Sequence, residues 1–422
     1  MTEQGPDSRY AWLRLCVSVV LMTIGASGMY VVSVVIPAVQ ADFGVDRSAA
    51  SMPYTAMMVG FGIGGILMGR AADRFGIVVP SAIGAILLGL GFVAAGGSPG
   101  LTTFALVHGV LIGLLGTAST FSPLVADTTL WFERRRGIAV AICASGNYLG
   151  GALWPPITQH FVETVGWRAT YVGIGVFCVA TMLPLALLLR RRPPALPAAG
   201  TAPPASDRPV AARGVDYARP LGMAPNALTA LLCVAGVACC VAMAMPQVHI
   251  VAYCTDLGFS AARGAEMMSL MLGFGVVSRL VSGWISDRIG GLRTLLLGSV
   301  LQGIALLLFL PFEGLASLYV ISALFGLFQG GIVPSYALIV REHFPAAQAG
   351  TRVGVVITST LFGMALGGWM SGAIFDATGS YHAAFVNGIG WNLLNVGIAI
   401  FLLRRAGPLR RRGAGPVVAA AA

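Results

Sequence analysis

The sequence predicts an all-α membrane protein in which twelve transmembrane helices form two halves of six. Three observations carry this prediction: the composition, the number of apolar runs and an internal repeat. Of the 422 residues, 57% are hydrophobic and only 10% are charged, whereas soluble domains carry about 25% charged residues. The mean hydropathy of +0.84 agrees with a chain that is largely surrounded by lipid.

Twelve apolar runs are long enough to cross a bilayer as helices. Each has roughly 20 residues or more, the length that spans a ~30 Å hydrocarbon layer at ~1.5 Å per residue. The first run is too long for a signal-peptide core and lacks a small-residue cleavage site, so we expect it to be retained as a span. The predicted spans are 13–39, 50–70, 77–97, 101–126, 137–162, 169–190, 226–254, 264–286, 293–312, 316–340, 351–375 and 383–405.

All 26 basic residues are arginines, and their positions indicate how the chain is oriented. Twenty-two lie in the chain ends and in the loops on one side of the predicted bundle, Arg47, Arg168 and Arg263 lie in loops on the other side, and Arg279 lies inside a span. Arginine-rich loops face the cytoplasm, so both ends are predicted to be cytoplasmic in a cytoplasmic (inner) membrane. The same distribution accounts for the net charge of +10 without a nucleic-acid partner.

The composition divides the chain into five segments. Residues 1–12 and 406–422 are predicted to be cytoplasmic ends, 13–190 and 226–405 to be six-helix bundles, and 191–225, rich in Pro, Ala and Arg, to be a cytoplasmic linker. The seven cysteines lie within or at the edges of apolar runs without metal-ligand spacing, so we interpret them as packing residues. We expect a functional monomer without a cofactor.

The two predicted halves repeat each other at a nearly constant offset. The stretch GRAADRFG at 69–76 returns as GWISDRIG at 283–290, an offset of 214 residues. Phe132 before the fifth span corresponds to Phe344 before the eleventh, an offset of 212 residues. These matches indicate a duplicated six-helix unit.

This arrangement resembles the major facilitator superfamily, and the resemblance covers nearly the whole chain. The superfamily's loop motif, glycine followed by Asp-Arg and another glycine, is present twice. The resemblance implies a substrate site near mid-bilayer between the halves and alternating access by rocking of one half against the other. The motif residues, interpreted as a cytoplasmic gate, are Gly69, Asp73, Arg74, Gly76, Gly283, Asp287, Arg288 and Gly290.

The chemistry of the motif favours a latch. An aspartate at a cytoplasmic helix end can accept hydrogen bonds from the N-terminal amides of a neighbouring helix and pair with an inner-loop arginine, while glycine permits a tight turn. Such contacts are expected only when the cytoplasmic side is closed, so Asp73 and Asp287 are predicted latch residues. The alternative is a solvated turn whose charges only determine topology.

A narrower resemblance concerns the monocarboxylate-transporter and oxalate/formate-antiporter group. The stretch FSPLVADTTLWFERRRGIAVAICASGNYLGGALWPP at 121–156, followed by GWRATY at 166–171, is similar to that group's aromatic pair, basic cluster, glycine-rich fifth span and Gly-Trp-Arg. The stretches VVIPAVQADFGVDRSAAS at 34–51 and VHIVAYCTDLGFS at 248–260 are similar to it as well. In that group an arginine of the eighth span binds the substrate carboxylate, and Arg279 occupies the matching place.

The position of Arg279 points the same way. It lies eight residues before Asp287, about 12 Å into the layer at ~1.5 Å per residue, where a charge costs about 2.5–3.5 kcal/mol and normally faces a cavity and a partner. None of the sixteen acidic residues lies deep in a predicted span, Asp127 and Asp42 coming nearest. We therefore predict an anionic ligand for the planar guanidinium. Alternatively, Arg279 binds backbone carbonyls or polar side chains and only holds helices together.

The predicted site is asymmetric in charge. Gly65 takes the place of Arg279 in the first half, and residues 358–376 contain no base; since the oxalate branch carries a second basic residue in that span, a monocarboxylate is favoured. Animal monocarboxylate transporters carry an acid where this chain has Gly275, and a lysine where the neighbourhood of Ser33 offers no base. Both residues are tied to proton coupling there, so proton coupling is left open here.

Two further sets of residues complete the predicted site. Histidine titrates in the range of a transmembrane proton gradient, so His249 and His108 are candidates for proton coupling, with packing or interface roles as the alternative. Uncharged polar or aromatic residues near mid-depth in the spans that the resemblance places around the cavity can bond the substrate or a neighbouring helix. These are Tyr30, Asn147, Gln247, Gln329, Tyr336 and Thr360.

The predicted function is secondary active transport of a small organic monoanion across the bilayer, with or without a coupled proton. A drug-efflux transporter of the same fold is the first alternative, although cation efflux usually needs a membrane-embedded carboxylate. A membrane sensor or a lipid enzyme is the second. Against the enzyme stand the lack of a catalytic triad spacing, a metal cluster and a phosphate loop, so we expect no enzyme. Against the sensor stands the lack of a soluble output domain.

Overall fold

The computed structural model describes residues 7–133, 135–191 and 219–413. Within these ranges the chain is helical without strands, and twelve helical stretches are long and apolar enough to cross a membrane. The predicted all-α class with twelve spans is therefore confirmed. Most of the predicted linker 191–225, the end of the predicted tail 406–422 and the start of segment 1–12 lie outside the described residues.

We number the spans α1 to α12 in chain order. Nine of them extend beyond the predicted apolar run, because a helix continues into the interfacial layer after the apolar residues end. By contrast α3, α6 and α9 end before their predicted runs do. The spans are Arg9–Phe43, Arg47–Phe75, Val78–Gly96, Leu101–Trp131, Gly137–Val165, Trp167–Leu188, Pro225–Asp256, Ala261–Ile289, Gly291–Leu308, Leu315–His343, Gln348–Thr378 and Tyr381–Ala406.

Three spans contain local irregularities. A one-residue break at Ala26 divides α1, a π-helical segment His108–Gly116 widens α4, and α10 is interrupted at Gly330. The wide turn of α4 packs closely on α2, since a Cβ added at Gly60 would collide with the carbonyl oxygen of Gly109. Small residues thus permit the close backbone approach that membrane helices use for packing.

Buried polar bonds hold the helices together inside each half. In the first half, Arg14 of α1 forms an ion pair of 2.8 Å with Asp127 of α4, and both side chains are buried. In the second half, the Tyr336 hydroxyl of α10 donates to Asn395 of α12 at 2.8 Å, and the Asn395 amide donates to Ser299 of α9 at 2.8 Å. Hydrogen bonds and ion pairs between buried side chains therefore connect the helices within each half.

The two halves meet where α2 packs against α11 and where α5 packs against α8. The start of α1, the end of α12 and the turns at Gly76 and Gly290 lie on one face of the bundle, which we call the terminal face; the opposite face is the far face. This distinction matters because the contacts between the halves change from one face to the other.

Helices α2 and α11 are in close contact at the far face and separate towards the terminal face. Near the far face a Cβ on Gly372 would lie 2.9 Å from Cα of Ser48, and deeper in the bundle the Thr55 hydroxyl donates to the Ala365 carbonyl at 3.0 Å. At Gly69, near the terminal face, no described heavy atom lies within 4 Å of an added Cβ.

Helices α5 and α8 are likewise in close contact towards the far face and separate towards the terminal face. The Ser269 hydroxyl donates to the Ala152 carbonyl in the far half of the pair, and a Cβ on Gly275 would lie 2.5 Å from the Tyr148 ring near mid-depth. At Gly283, by contrast, no described heavy atom lies within 4 Å of an added Cβ. The described chain is thus closed at the far face and open at the terminal face.

Candidate functional site

Arg279 lies on the unbroken helix α8 where it meets α5 of the other half. Its side chain is partly buried; Nη1 donates to the Ala144 carbonyl at 3.0 Å, and the guanidinium carbon lies 4.4 Å from the centre of the Tyr148 ring. Its Nε is buried and has no hydrogen-bond partner among the described residues. Within the described part of the chain, Arg279 has no ion pair with a carboxylate.

Tyr148 is a residue of this site that the sequence analysis did not single out. Gly275, one turn before Arg279, explains its position, because a Cβ on Gly275 would lie 2.5 Å from two ring carbons of Tyr148. Any side chain at 275, including an acid, would have to displace the ring. The sequence shows a glycine at 275 and an aromatic residue next to Asn147. That these two residues face each other depends on the rotation of α5 and α8, which only the structure shows.

Tyr30 and Asn147, both predicted site residues, are brought together beside this ring. The Tyr30 hydroxyl donates to Asn147 Oδ1 at 3.0 Å, and both side chains are buried. A Cβ on Gly151 would lie 2.8 Å from the Tyr30 ring, so the glycine permits this approach. The α1 and α5 side of the site therefore presents two polar residues next to Tyr148.

Gln247 and Gln329 are brought together on the second half. Nε2 of Gln247 donates to Oε1 of Gln329 at 3.0 Å, while Nε2 of Gln329 is buried without a partner among the described residues. The adjoining Gly330 packs on α8, since an added Cβ would lie 2.5 Å from the Gly275 carbonyl oxygen and 2.8 Å from Cβ of Ser278. This pair therefore lies beside the turn of α8 that carries Arg279.

Tyr336 and Thr360 are not brought into this group. The Tyr336 hydroxyl donates to Asn395 inside the second half. The Thr360 hydroxyl donates to the Ile357 carbonyl of its own helix at 2.6 Å, and its methyl group packs against Gly236 of α7. Their contacts are the helix contacts that the sequence analysis held as the alternative.

His108 is enclosed within the first half. Its Nδ1 lies 2.8 Å from the Phe104 carbonyl oxygen and its Nε2 lies 3.2 Å from the Tyr171 hydroxyl. Because a carbonyl oxygen only accepts, Nδ1 carries a hydrogen, and in the neutral ring Nε2 accepts from the hydroxyl. Both nitrogens of the ring are thus occupied by neighbours from its own half.

His249 is buried near the far face, where the halves meet. Its Nε2 lies 2.7 Å from the Gly368 carbonyl oxygen and its Nδ1 lies 3.0 Å from the Tyr381 hydroxyl. Gly368 in turn lies against the first half, because an added Cβ would be 2.9 Å from the ring of Tyr54. Unlike His108, His249 belongs to the contact between the halves.

Arg47, which the sequence analysis treated only as an arginine of an outer loop, is the centre of that contact. Its side chain is buried and forms an ion pair of 3.1 Å with Asp256 and a hydrogen bond of 3.0 Å to the Tyr381 hydroxyl. The backbone amides of Arg47 and Ser48 donate to Asp376 at 2.9 and 2.8 Å. We call Arg47, Asp256, Asp376 and Tyr381 the far-face cluster.

The predicted gate motifs lie at the open terminal face. Gly76 and Gly290 have φ of +80° and +82°, a left-handed turn that suits glycine. Among the described residues, neither Asp73 nor Asp287 has an ion pair. The charged motif residues are exposed: Asp73, Arg74, Asp287 and Arg288. Exposed charges at an open terminal face fit a latch that is not engaged, and the latch role itself stays a prediction.

A sequence model of the Major Facilitator Superfamily matches residues 17–312 and 230–419 of this chain. The chain belongs to the major facilitator superfamily. The superfamily transporter YcxA of Bacillus subtilis (strain 168) is 28% identical over 347 residues, which cover 80% of this chain and 82% of that protein. Monocarboxylate transporter 13 of Rattus norvegicus is 27% identical over 363 residues, which cover 79% of this chain and 78% of that protein.

A solved transporter structure shares the fold. A bacterial homologue of the human lysosomal transporter Spinster, in an inward-facing and unoccupied conformation, has a TM-score of 0.68 at 15% sequence identity. The match covers 96% of this chain and 98% of that one. With twelve spans and this membership, the protein is a multi-pass membrane transporter of the major facilitator superfamily.

Proposed function

We propose that this superfamily member transports a small organic monoanion, a monocarboxylate, and that Arg279 binds the carboxylate. The observation that carries the proposal is a cation between the halves without a carboxylate partner among the described residues. Nη1 is bonded to Ala144, while Nε is buried and has no bond within the part of the chain that the structure describes. An unsatisfied buried donor costs about 1–3 kcal/mol, and a bound carboxylate offers the missing acceptor in the fork geometry that a guanidinium fits.

The neighbouring groups support a monoanion with a hydroxyl or carbonyl group. Gln329 has an amide donor without a bond to any described residue, and Tyr30 and Asn147 form a hydrogen bond that a substrate can replace. The Tyr148 ring covers one face of the guanidinium, an arrangement that stabilises the cation without neutralising it. With one cation in the site, one carboxylate balances the charge. Monocarboxylate transporter 13 among the relatives fits this substrate class.

We also propose that the terminal face is cytoplasmic, that the protein lies in the cytoplasmic membrane, and that one chain is the functional unit. The arginine distribution supports the orientation, and both sides of the site come from the same chain. With this orientation, the structure is open to the cytoplasm. The bond between Arg279 and Ala144 gives the arginine a structural contact between the halves as well, so the test has to separate binding from assembly.

The test is a thermal-shift screen of the purified protein over carboxylates of increasing size, with uptake into liposomes for those that bind. A ligand at 100 times its dissociation constant adds about 2.7 kcal/mol to the free energy of unfolding. We expect Arg279→Gln to lose this stabilisation. The matched control is Arg263→Gln on the same helix, where the arginine is exposed and pairs with Glu266.

Three outcomes are informative. Loss of the shift in Arg279→Gln alone, with an unliganded melting temperature near that of wild type, supports carboxylate binding by Arg279. The same acids stabilising Arg279→Gln to the same degree would leave the arginine with only its structural contact. Stabilisation by neutral or cationic amphiphiles and by no carboxylate would favour the drug-efflux alternative.

A further inference from the structure

At the far face, a carboxylate of the second half caps a helix of the first half. The first amides of a helix have no partner within the helix and carry partial positive charge. At the start of α2, the amides of Arg47 and Ser48 donate to the two oxygens of Asp376, which lies at the end of α11. Because the cap and the helix belong to different halves, the far face cannot open without breaking both bonds.

The Arg47 side chain adds further contacts between the halves. Its guanidinium binds Asp256 of α7 and Tyr381 of α12, and its central carbon lies 4.8 Å from the centre of the Phe375 ring of α11. The side chain is buried. A single arginine of the first half thus touches three helices of the second half.

With His249 neutral, each hydrogen bond beyond Arg47 has one direction. A guanidinium only donates and a carbonyl oxygen only accepts. Arg47 therefore donates to the Tyr381 oxygen at 3.0 Å, and Nε2–H of His249 donates to the Gly368 carbonyl at 2.7 Å. Since Nδ1 of His249 carries no hydrogen in the neutral ring, the Tyr381 hydroxyl donates to it at 3.0 Å. The closed far face thus matches a neutral His249.

We propose that the far-face cluster is a gate between the halves and that His249 is a proton-binding site that opens it. The proposal rests on alternating access and not on the identity of the substrate. A proton on Nδ1 turns this atom into a donor, so Tyr381 would have to accept from His249 and Arg47 at once and its own hydrogen would lose its acceptor. A second positive charge would also lie one hydroxyl group away from Arg47.

The proton that His249 binds comes from, and returns to, the solution at the far face. His249 takes its proton from the solution at the far face while the gate is open, and the same proton returns to that solution when the gate closes. By linkage, acid at the far face favours the open gate, and one proton gives at most about a tenfold change in the open-to-closed ratio per pH unit.

Other titratable and charged groups surround His249, and two of them, Asp256 and Asp376, also bond across the halves. The variant His249→Gln keeps both carboxylates and so separates their titration from that of His249. Glu313 and His382 form an exposed pair of 3.2 Å, but both belong to the second half, so their titration does not bridge the halves. The groups packed around His249 and the far-face cluster are Arg47 and Tyr54 from α2, Tyr253 and Asp256 from α7, Asp376 from α11 and Tyr381 from α12.

The experiment measures the opening of the far face directly in the full-length protein in lipid nanodiscs. Spin labels at Gly97→Cys and Pro311→Cys, two exposed far-face positions in different halves, report the separation by double electron–electron resonance. The more accessible native cysteines are removed as Cys16→Ser and Cys233→Ser. Distances are recorded between about pH 5 and about pH 8, the range in which histidine ordinarily titrates.

We expect the long-distance population to grow as the pH falls, and His249→Gln to remove this dependence. The matched control is His108→Gln, a buried histidine with two bonded nitrogens inside one half, which should keep the wild-type dependence. Tyr381→Phe, which removes the hydroxyl but keeps the ring, His249 and Arg47, should weaken the pH dependence. A wild-type pH dependence that persists in His249→Gln, or no pH dependence in wild type, overturns the proposal. Neither result bears on carboxylate binding by Arg279.

Discussion

Replacing Asp127 by Asn is predicted to destabilise the first half strongly. Asp127 accepts from Nε and Nη2 of Arg14 at 2.8 and 2.9 Å, in a bidentate pair with side chains only 7% and 2% exposed. Removing one partner of a buried ion pair leaves an uncompensated charge and costs about 3–5 kcal/mol. Arg14 keeps its bond of 2.8 Å to the Leu189 carbonyl and its contact with the Trp131 ring, so we expect a value near the lower end, about 3 kcal/mol.

The assay is unfolding of the detergent-solubilised protein by a denaturant, followed by tryptophan fluorescence. Asp42→Asn is the matched control, because Asp42 pairs with Arg168 at a similar distance of 2.9 Å while both side chains are more than 40% exposed. Such a pair contributes about 0–1 kcal/mol. An apolar double variant, Arg14→Met with Asp127→Leu, should regain most of the loss. Equal effects of Asp127→Asn and Asp42→Asn would refute the reasoning.

Three other predictions concern the site and the two faces. Asp73→Asn should increase the population that is open at the terminal face and slow transport, and unchanged values of both would remove the latch role. Gly275→Asp should weaken carboxylate binding about tenfold or more, because it displaces the Tyr148 ring and gives Arg279 a counter-ion. Gly275→Ala is the control for the displacement of the ring without a charge. Tighter binding in Gly275→Asp would contradict carboxylate binding by Arg279. Arg47→Gln should widen the labelled far-face distance. Arg168→Gln should not, because the hydrogen bonds of the Arg168 side chain to described residues all lie within the first half.

The sequence alone determined the class, the number of spans and the repeat. Lipid offers no hydrogen bonds to the backbone, so each long apolar run has to be a helix, and the count of such runs is the count of spans. The sequence also identified Arg279 as a candidate site residue, because a charge at mid-bilayer is costly whichever way its helix is rotated. That no acidic residue lies deep in a span beside Arg279 was predictable from the positions of the sixteen acidic residues.

The partners of individual polar residues were decided only by the tertiary structure. Tyr336 and Thr360 bond within their own half, Gln247 meets Gln329, and Tyr148 lies over Gly275. The far-face cluster joins residues more than 200 positions apart, such as Arg47 and Asp256. In water an apolar stripe shows which face of a helix is buried. In lipid the outward face is as apolar as the core, so the rotation of each helix, and with it the contacts of its polar residues, follows from packing between helices and not from the pattern along one of them.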